Sequence, residues 1–394
     1  MMIKSFKIGL KPTKEQEELM WKSVGISRFA YNWGINKAQE YHEQGRKYSI
    51  NDIRKEFTQL KKLDEYKWLN EVSAKVSQES LRNLDKAFKN YFTICKTLPY
   101  EKRVIFKNGK KIEKGYPNFK SKKKSNKSFY VRVDTLYFKD GYCNIEKIGK
   151  IKYNTKQNIP IGKYSNPYCV FNGKKWYIGF GVEINDNQVN TESNKDLIIG
   201  IDLGVKDLAI CSNGMVFKNI NKTKRVKNLK SKLKHLQRNV SRKYEANKQG
   251  KKYIKTNNIL KLEKKIALIY KKLADIRNDY IYQSINTILK ERPYRIVMED
   301  LNISGMMKNK HLSKAISEQC LYKFISVMEY KCTWYDIEFV QADRFYPSSK
   351  TCSCCGHIKK DLKLKDRIYI CPNCGLEIDR DYNASLNLMN YSKV

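Results

Sequence analysis

The hydrophobic positions of the first hundred residues recur at helical spacing. Apolar side chains step by three and four positions with basic residues between them, as in Leu81, Leu84, Phe88, Tyr91 and Phe92. A helix start is marked at Thr13, because its hydroxyl can cap a helix while Gln16, three positions on, completes a capping box. The pattern predicts a helical segment over 14–96 with basic outer faces.

The pattern changes to short alternating runs between about residues 103 and 189. Alternation of apolar and polar positions is typical of strands with one buried face. It is clearest in Phe129, Val131 and Val133, and again in Trp176, Ile178 and Phe180. This region is expected to form a small antiparallel sheet or barrel, in which the lysine-rich stretch 120–127 is a loop.

The second half of the chain predicts a different sheet. Residues 197–201 are apolar on both faces, which is typical of a strand covered by helices on both sides. A hairpin follows over 208–217, with Ser-Asn-Gly at its turn. A second buried strand is predicted at 296–298, and a helix over 313–334 and a strand over 337–341 precede a cysteine-rich segment.

A strongly basic segment lies between the two buried strands. Residues 222–272 hold 19 lysines and arginines against two acids, Glu245 and Glu263. Apolar residues step by three and four on both sides of Gly250, which predicts two helices packed as an antiparallel hairpin. The charge density favours contact with nucleic acid, and the alternative is a solvated basic helical pair.

Composition agrees with a polyanionic partner. The chain has 394 residues, of which 41% are hydrophobic, and this is enough to build cores and to exclude disorder throughout. Lysine and arginine number 79 against 40 aspartates and glutamates, which gives a net charge of +39. A folded protein holds such a charge against its own repulsion, so a polyanion is the natural partner. Because 27 Tyr, 15 Phe and 5 Trp accompany the basic residues, a polynucleotide fits better than a membrane.

Membrane insertion and export are not supported by the sequence. The chain contains no run of about 18 uncharged apolar residues. Residues 1–12 carry three lysines and lack the apolar core of a signal peptide. A cytoplasmic location is therefore expected.

Five of the 11 cysteines fall between positions 352 and 374. Such clustering indicates a metal site in a reducing compartment rather than a disulfide framework. Two knuckles with two intervening residues each are separated by 15 residues, the spacing of a tetrahedral zinc site with four thiolates. The expected ligands are Cys352, Cys355, Cys371 and Cys374. Because four cysteines leave no open coordination position, this zinc is expected to be structural.

The residues around these cysteines fit the same interpretation. Gly356 and Gly375 each follow the second cysteine of a knuckle, where a positive φ lets backbone amides turn toward sulfur. Cys354 is left spare, because pairing it with Cys352 would leave a single intervening residue. His357 is an alternative ligand, although a surface histidine in a turn is the simpler interpretation. The six scattered cysteines are interpreted as small buried hydrophobic residues.

Three acids, Asp202, Glu299 and Asp381, stand at the ends of predicted elements. Each alone has an ordinary explanation as a turn former or a helix cap. Strand ends in a doubly covered sheet are where ligand sites lie, however, and Asp381 shares a helix face with Ala384 and Leu388. Clustered carboxylates suit two Mg²⁺ ions about 4 Å apart. The three acids therefore predict metal-dependent phosphodiester hydrolysis.

The motifs that carry these residues resemble a known family. They are GIDLG at 200–204, MEDL at 298–301, SKTCSCCG at 349–356, CPNCG at 371–375 and DRDYNA at 379–384. In this order they resemble TnpB, the transposon-encoded relative of type V CRISPR effector nucleases. The specific motifs run from about residue 196 to the C-terminus, and the N-terminal half resembles the family more diffusely.

The resemblance implies a multidomain α/β protein. It would combine an RNase H-like RuvC nuclease fold and a zinc ribbon with an N-terminal β-barrel wedge domain and a helical recognition lobe. The implied domains are the wedge at 1–12 and 100–192, the recognition lobe at 13–99, the nuclease at 193–348 with a basic helical hairpin at 222–292, the zinc ribbon at 349–378 and the final nuclease helix at 379–394.

The resemblance also implies an RNA-guided DNA endonuclease of a transposable element. Asp202, Glu299 and Asp381 would be the catalytic acids that bind two Mg²⁺ ions, and a Zn²⁺ would be structural. The partners would be a guide RNA and double-stranded target DNA beside a short transposon-adjacent motif, with the protein a monomer on its RNA. Lys75 and Gln78 are implied to approach the duplex of this motif, and the alternative is an ordinary polar helix face.

A mixed basic and aromatic stretch precedes the cysteine cluster. Its residues Arg344, Phe345, Tyr346 and Lys350 suit single-stranded DNA entering a cleft, or they pack the ribbon against the nuclease core.

Other functions remain as alternatives. They are a guided DNA-binding regulator, which would be expected to have lost one of the acids, a guide-free nuclease, and a compact type V CRISPR effector. The compact chain favours the transposon protein over the CRISPR effector.

Overall fold

The structure is a computed structural model that describes residues 2–107, 110–123, 125–155, 158–160, 162–184, 194–250, 252–363 and 366–392. The chain divides into two compact units, Met1–Asp186 and Asn187–Val394. The domain boundary predicted between residues 192 and 193 lies outside the described residues.

The first unit is built on a seven-stranded antiparallel sheet. The strands of the whole unit are β1 (Met2–Lys11), β2 (Val104–Lys107), β3 (Lys110–Glu113), β4 (Ser128–Tyr130), β5 (Tyr137–Lys139), β6 (Tyr142–Ile145), β7 (Gly149–Asn154), β8 (Tyr164–Phe171) and β9 (Trp176–Ile184). The sheet order is β4-β8-β9-β1-β7-β6-β5, and β2 and β3 form a separate hairpin. The alternation predicted for Trp176, Ile178 and Phe180 is confirmed, since all three are buried.

The helices of the first unit are α1 (Lys14–Glu43), α2 (Ile50–Leu60), α3 (Ala74–Thr97) and α4 (Tyr100–Arg103), with a 3-10 turn at Asp64–Asn70. The first three pack on one core with this sheet, and α4 has no buried residue. The predicted capping box is confirmed, because the Thr13 hydroxyl accepts from the Gln16 amide at 3.3 Å and the Gln16 side chain accepts from the Thr13 amide at 3.1 Å. Trp21 of α1 packs edge-on against Trp176 of β9, with 5.0 Å between ring centroids.

The second unit contains a mixed five-stranded sheet. The strands of this unit are β10 (Asn194–Leu203), β11 (Asp207–Cys211), β12 (Val216–Lys218), β13 (Lys248–Gln249), β14 (Lys252–Tyr253), β15 (Pro293–Glu299), β16 (Glu338–Ala342), β17 (Ile368–Ile370) and β18 (Glu377–Asp379). The sheet order is β12-β11-β10-β15-β16, in which β10, β15 and β16 are parallel and the two hairpin strands are antiparallel. The predicted hairpin over 208–217 is confirmed, with its turn at Gly214.

The helices of the second unit are α5 (Lys224–Ala246), α6 (Asn257–Lys290), α7 (Ile303–Met306), α8 (Ser313–Gln319), α9 (Leu321–Tyr335) and α10 (Arg380–Met389). The predicted antiparallel hairpin is confirmed in α5 and α6. Gln237 donates to the Tyr270 hydroxyl at 2.8 Å and Tyr244 donates to Glu263 at 2.7 Å, so the two helices run in opposite directions. Across the described ranges, no helix is both long enough and apolar enough for a membrane span.

The helix predicted over 313–334 is broken in the structure. Cys320 takes a left-handed conformation, with φ of 55°, between α8 and α9. Next to it, the buried side chain of Gln319 donates to the Gly204 carbonyl at 3.1 Å and accepts from Asn221 at 3.3 Å. These polar partners come from distant segments, so the continuous apolar period gave no sign of the break.

Helix α10 lies directly on β10 at Gly200. A Cβ atom at this position would come 2.1 Å from the Ser385 carbonyl oxygen and 2.3 Å from the Met389 amide nitrogen. Both neighbours are helix backbone, which cannot move aside as a side-chain tip can. Gly200 is therefore required for the close packing of the last helix on the first strand of the sheet.

We predict that Gly200→Ala lowers the free energy of unfolding of the second unit by about 1–3 kcal/mol or more, because the added methyl overlaps the α10 backbone. Thermal unfolding of the purified variant measures this change. Gly25→Ala is the control, since Gly25 has no heavy atom within 4 Å of its Cβ position, and it should not destabilise. Unchanged unfolding of Gly200→Ala would contradict the close packing.

Candidate active site and cysteine cluster

The three predicted acids line one pocket in the second unit. Asp202 lies near the end of β10, Glu299 ends β15, and Asp381 lies in the first turn of α10. The pocket has a volume of about 460 Å³ and also presents basic and apolar side chains. The structure thus gathers carboxylates that are far apart in the sequence.

Strand register brings Asp202 and Glu299 to the same edge of the sheet. Ile201 of β10 pairs with Met298 of parallel β15, so the acids that follow them leave the sheet side by side. Carboxyl ends of parallel strands are the usual place for a ligand site. The third acid arrives with α10, whose first turn is fixed by Asp379, because that side chain accepts from the Asp381 amide at 3.0 Å.

The surroundings of Asp202 and Glu299 raise the pKa of both carboxyl groups. Burial raises the pKa of Asp202 well above its ordinary value, and the charges of Glu299 and Asp381 raise it further. Burial also raises the pKa of Glu299, while a hydrogen bond from Ser348 opposes this increase. A bound divalent cation would relieve the repulsion, and carboxylate oxygens are the ligands that Mg²⁺ prefers. The donor set therefore fits Mg²⁺.

Basic side chains surround the acids. Arg380 donates to Asp381 at 2.8 Å, and Arg367 lies 3.8 Å from the other oxygen of the same carboxylate. Lys206, Lys350 and Lys363 also line the pocket. Of these five, sequence reasoning identified Lys350 alone. Arg380 carried a signal, since it stands between two acids in the DRD motif.

An apolar wall completes the pocket. It consists of Met306, Leu312, Leu321 and Leu362. A phosphate of a polynucleotide could contact the basic groups while a sugar or base packs on this wall. The arrangement therefore suits one strand of a nucleic acid.

A buried polar set behind the acids was not predicted. Ser348, Asn383 and Asn387 are at most 4% exposed, and Ser348 donates to Glu299. The signal available in the sequence was the pair of asparagines four positions apart on α10, on the face where apolar residues are expected.

The four predicted cysteines come together in a second cluster. Their sulfur atoms all lie within 4.8 Å of one another, with 3.6 Å between Cys352 and Cys374 and 3.6 Å between Cys355 and Cys371. A Zn–S bond of about 2.3 Å places the sulfurs of a tetrahedron roughly 3.8 Å apart. The cluster therefore fits a zinc ribbon. In the described part of the chain no other group of three metal-ligand side chains is so close, and the three acids are spread more widely around their pocket.

The glycine after each knuckle has the positive φ that its position predicts. Gly356 and Gly375 both have φ of +73°. A hydrogen bond from Asn373 lowers the pKa of the Cys355 thiol to about 6, whereas burial raises the pKa of Cys352. Cys354 and His357 are exposed and lie outside the cluster.

None of the eleven cysteines, all of which lie in the described residues, forms a disulfide bond. Four of the six scattered ones are buried, as predicted, and Cys95 and Cys320 are partly exposed.

Lys75 and Gln78 lie in the first unit, exposed on α3. They line a pocket of about 310 Å³ together with Arg54, Lys61 and Arg82 of the same unit. Three further cations thus surround the predicted pair, and sequence reasoning did not identify them. Contact of this pocket with DNA stays a prediction.

The stretch ahead of the cysteine cluster contains partly buried and exposed residues. Tyr346 packs edge-on against Tyr391, with 4.9 Å between ring centroids, and its hydroxyl donates to the Asn387 carbonyl. Arg344 is paired with Asp300 at 2.6 Å. Phe345 is 87% exposed. Tyr346 thus has the contacts of the packing alternative, while contact of any of these residues with DNA stays a prediction.

Three family profiles match separate parts of the chain. Residues 1–47 match a "Helix-turn-helix domain" of the OrfB_IS605 type, residues 180–310 match OrfB_IS605, described as "Probable transposase", and residues 322–388 match "Cas12f1-like, TNB domain".

Curated relatives match nearly the whole chain. A Streptomyces pristinaespiralis protein named "Putative RNA-guided DNA endonuclease" is 28% identical over 390 residues, which cover 98% of this chain and 88% of that protein. The Escherichia coli protein InsQ, which carries the same description, is 28% identical, and the alignment covers 98% of this chain and 92% of InsQ. A TnpB-like protein of Acanthamoeba polyphaga mimivirus is 25% identical, and the alignment covers 98% of this chain and 73% of that protein.

Solved structures also align along the chain. The Cas12f1–sgRNA–target DNA complex aligns at 15% identity with a TM-score of 0.35, covering 99% of both chains. The mini-RNA-guided endonuclease CRISPR-Cas phi3 aligns at 11% identity with a TM-score of 0.48, covering 99% of this chain and 92% of that one.

We predict that Asp202→Asn stabilises the metal-free protein at pH 7. The pKa of Asp202 is higher in the folded protein than in the unfolded chain, so its favourable contribution is complete at low pH and is lost as pH rises through the folded pKa. The free energy of unfolding is therefore expected to increase in the variant.

Unfolding with a chelator present, at several pH values, measures this effect. Variant and wild type should converge in acid. Asp300→Asn is the control, because it removes the ion pair with Arg344 instead and should not stabilise the protein. Equal gains in both variants would contradict the repulsion among the three acids.

We predict that Cys371→Ser loses bound zinc and unfolds the ribbon locally, because binding and local folding are coupled. Metal analysis of the purified protein should find about one zinc per wild-type chain and far less in the variant. Cys354→Ser should retain zinc, since its sulfur lies outside the cluster. Zinc loss from Cys354→Ser, or full zinc content in Cys371→Ser, would show that the ligand set is different.

Proposed function

We propose that this chain, a TnpB-like relative of the type V CRISPR effectors, is an RNA-guided DNA endonuclease of transposon origin. Two of the relatives that match 98% of the chain, from Streptomyces pristinaespiralis and Escherichia coli, carry RNA-guided endonuclease names, and we infer the same activity for this chain. The observation that carries the proposal is the single pocket lined by Asp202, Glu299 and Asp381.

The proposed reaction is metal-dependent hydrolysis of a phosphodiester in a RuvC-like site. Two bound Mg²⁺ ions would supply an activated water and stabilisation of the leaving oxygen. In this assignment Asp202, Glu299 and Asp381 hold the ions. The raised pKa of Asp202 supports this role, because a carboxyl group with two acidic neighbours is best ionised beside a cation.

The remaining pocket residues hold the strand. Lys206, Lys350 and Lys363 supply positive charge for its phosphates, and the apolar wall of Met306, Leu312, Leu321 and Leu362 packs on sugar or base. Arg380 and Arg367 are ion-paired with Asp381 and keep this carboxylate partnered when no cation is bound.

The charge of the chain supports a nucleic-acid partner of considerable length. With a net charge of +39, the protein attracts phosphates over a large surface. In a guided enzyme, base pairing between guide RNA and target DNA reads the sequence, and the protein contacts the backbone. We assign the basic hairpin of α5 and α6 to this backbone contact.

The finer domain assignments follow from the same proposal. The sheet that contains β1 and β4–β9 is assigned to the wedge, α1–α3 to the recognition lobe, the mixed sheet with α10 to the RuvC nuclease and the cysteine cluster to the ribbon. We propose that the protein acts in the cytoplasm as a monomer on its guide RNA.

The nuclease-inactive regulator is less well supported. Such a protein would be expected to lack one of the three acids, and here all three are present in one pocket. A guide-free nuclease would retain the acids, so only the presence of RNA separates it from the guided enzyme.

The test begins with sequencing of the RNA that copurifies from cells with the native locus. The complex is then given double-stranded DNA that matches the guide, with randomised flanks and Mg²⁺. We expect cleavage beside one short motif, and loss of cleavage with a chelator. Asp202→Ala should bind RNA and the same DNA nearly as the wild type does but lose cleavage, because the metal ions lose a ligand.

Matched controls separate the alternatives. Asp300→Ala removes a neighbouring acid outside the pocket lining and should still cleave. A wild-type complex that binds without cutting would favour the regulator. Cleavage by protein that carries no long RNA would favour the guide-free nuclease.

A further inference from the structure

Ser348 restrains the side chain of Glu299. The Ser348 hydroxyl donates to one oxygen of the Glu299 carboxylate. Ser348 is 2% exposed and lies four residues before Cys352, in the segment that joins β16 to the cysteine cluster. This hydrogen bond restricts the orientation of the Glu299 carboxylate and therefore the direction in which its second oxygen points.

Ser348 is in turn fixed by the last helix. The side-chain amide of Asn387 on α10 donates to the Ser348 carbonyl at 2.7 Å and to the Thr351 carbonyl at 2.6 Å. These bonds are sheltered from water, since Asn387 is 4% exposed. The helix that carries Asp381 therefore also sets the position of the serine that contacts Glu299.

A second asparagine extends this connection to the first knuckle. Asn383, one turn earlier on α10, is fully buried. It donates to the Thr351 carbonyl at 2.7 Å and accepts from the Ser353 amide at 3.0 Å. The backbone on both sides of Cys352 is thus bonded to α10.

We propose that Ser348 is a positioning residue that aims Glu299 at the metal ions, and that Asn387 and Asn383 hold it there by tying the first knuckle to α10. This inference rests on the proposed nuclease function. Groups that hydrogen-bond a metal-binding carboxylate orient it, and their loss typically costs 10–100-fold in metal affinity or activity. Through these bonds the cysteine cluster supports the geometry of the acids.

The test uses guide RNA complexes of Ser348→Ala, Ser348→Thr and Asn387→Asp. Ser348→Ala removes the hydroxyl donor, Ser348→Thr retains it, and Asn387→Asp keeps the size of the side chain while removing its donors. Matched controls are Ser385→Ala, a buried serine on α10 bonded to the Tyr382 carbonyl, and Asn390→Ala, an exposed asparagine at the end of α10.

Two quantities are measured for each complex. Site-specific Mn²⁺ affinity is obtained by electron paramagnetic resonance, as the difference from an Asp202→Asn complex that provides the background of the RNA. Cleavage rates are measured across Mg²⁺ concentrations, which separates half-saturation from the rate at saturating Mg²⁺. Zinc content is measured on the same samples.

Ser348→Ala and Asn387→Asp should weaken Mn²⁺ binding and raise the half-saturating Mg²⁺ concentration by about 10–100-fold, with zinc content unchanged. The rate at saturating Mg²⁺ should fall less, because excess ion restores occupancy. Ser348→Thr should lie closer to wild type than to Ser348→Ala, and both controls should match wild type.

Wild-type Mn²⁺ affinity in both Ser348→Ala and Asn387→Asp would overturn the positioning role. Equal losses in Ser385→Ala would also overturn it, since they would indicate general loosening of α10. A wild-type complex that binds Mn²⁺ here but does not cleave would instead overturn the proposed nuclease, and the Mn²⁺ affinities would still decide the role of Ser348.

Discussion

The backbone of α10 touches the backbone of β10 at Gly200, and the position of Asp381 depends on this contact. Because no side chain separates the two elements at that point, the last helix lies as close to the sheet as main-chain atoms allow. The strand places Asp202 at its own end, and parallel pairing with β15 places Glu299 beside it. One small residue thus allows the two ends of the second unit to form a single pocket.

This packing brings like charges together in a chain with a large excess of positive charge. Burial raises the pKa of Asp202, and the charges of Glu299 and Asp381 raise it further, so the acids are unfavourable neighbours for one another. The fold tolerates them by partnering Asp381 with Arg380 and Glu299 with Ser348. The electrostatic repulsion in this pocket is therefore unfavourable for folding, and a bound cation can relieve it. Such perturbed titratable groups are common at functional sites.

Much of this organisation was readable from the sequence, and the limits have physical causes. Apolar runs gave the buried strands, and the helical period gave the α5–α6 hairpin, since both depend on local patterns. Spacing gave the cysteine cluster. The helix break at Cys320 and the hydrogen bonds of Ser348 could not be predicted, because the residues involved have partners that are distant in sequence. A pattern of hydrophobicity contains no information about which remote carbonyl a buried amide will meet.

The pairing of α5 with α6 also has a consequence of scale. A helix of 23 residues, such as α5, is about 35 Å long, which is close to one turn of a B-form DNA duplex. Its hydrophobic seam faces α6, so its lysines and arginines are exposed along its length, except Lys230, which is partly buried and pairs with Glu318. In the proposed backbone contact, a helix of this length would match about ten base pairs of B-form duplex, and each phosphate that it neutralised would release condensed counterions to the solvent.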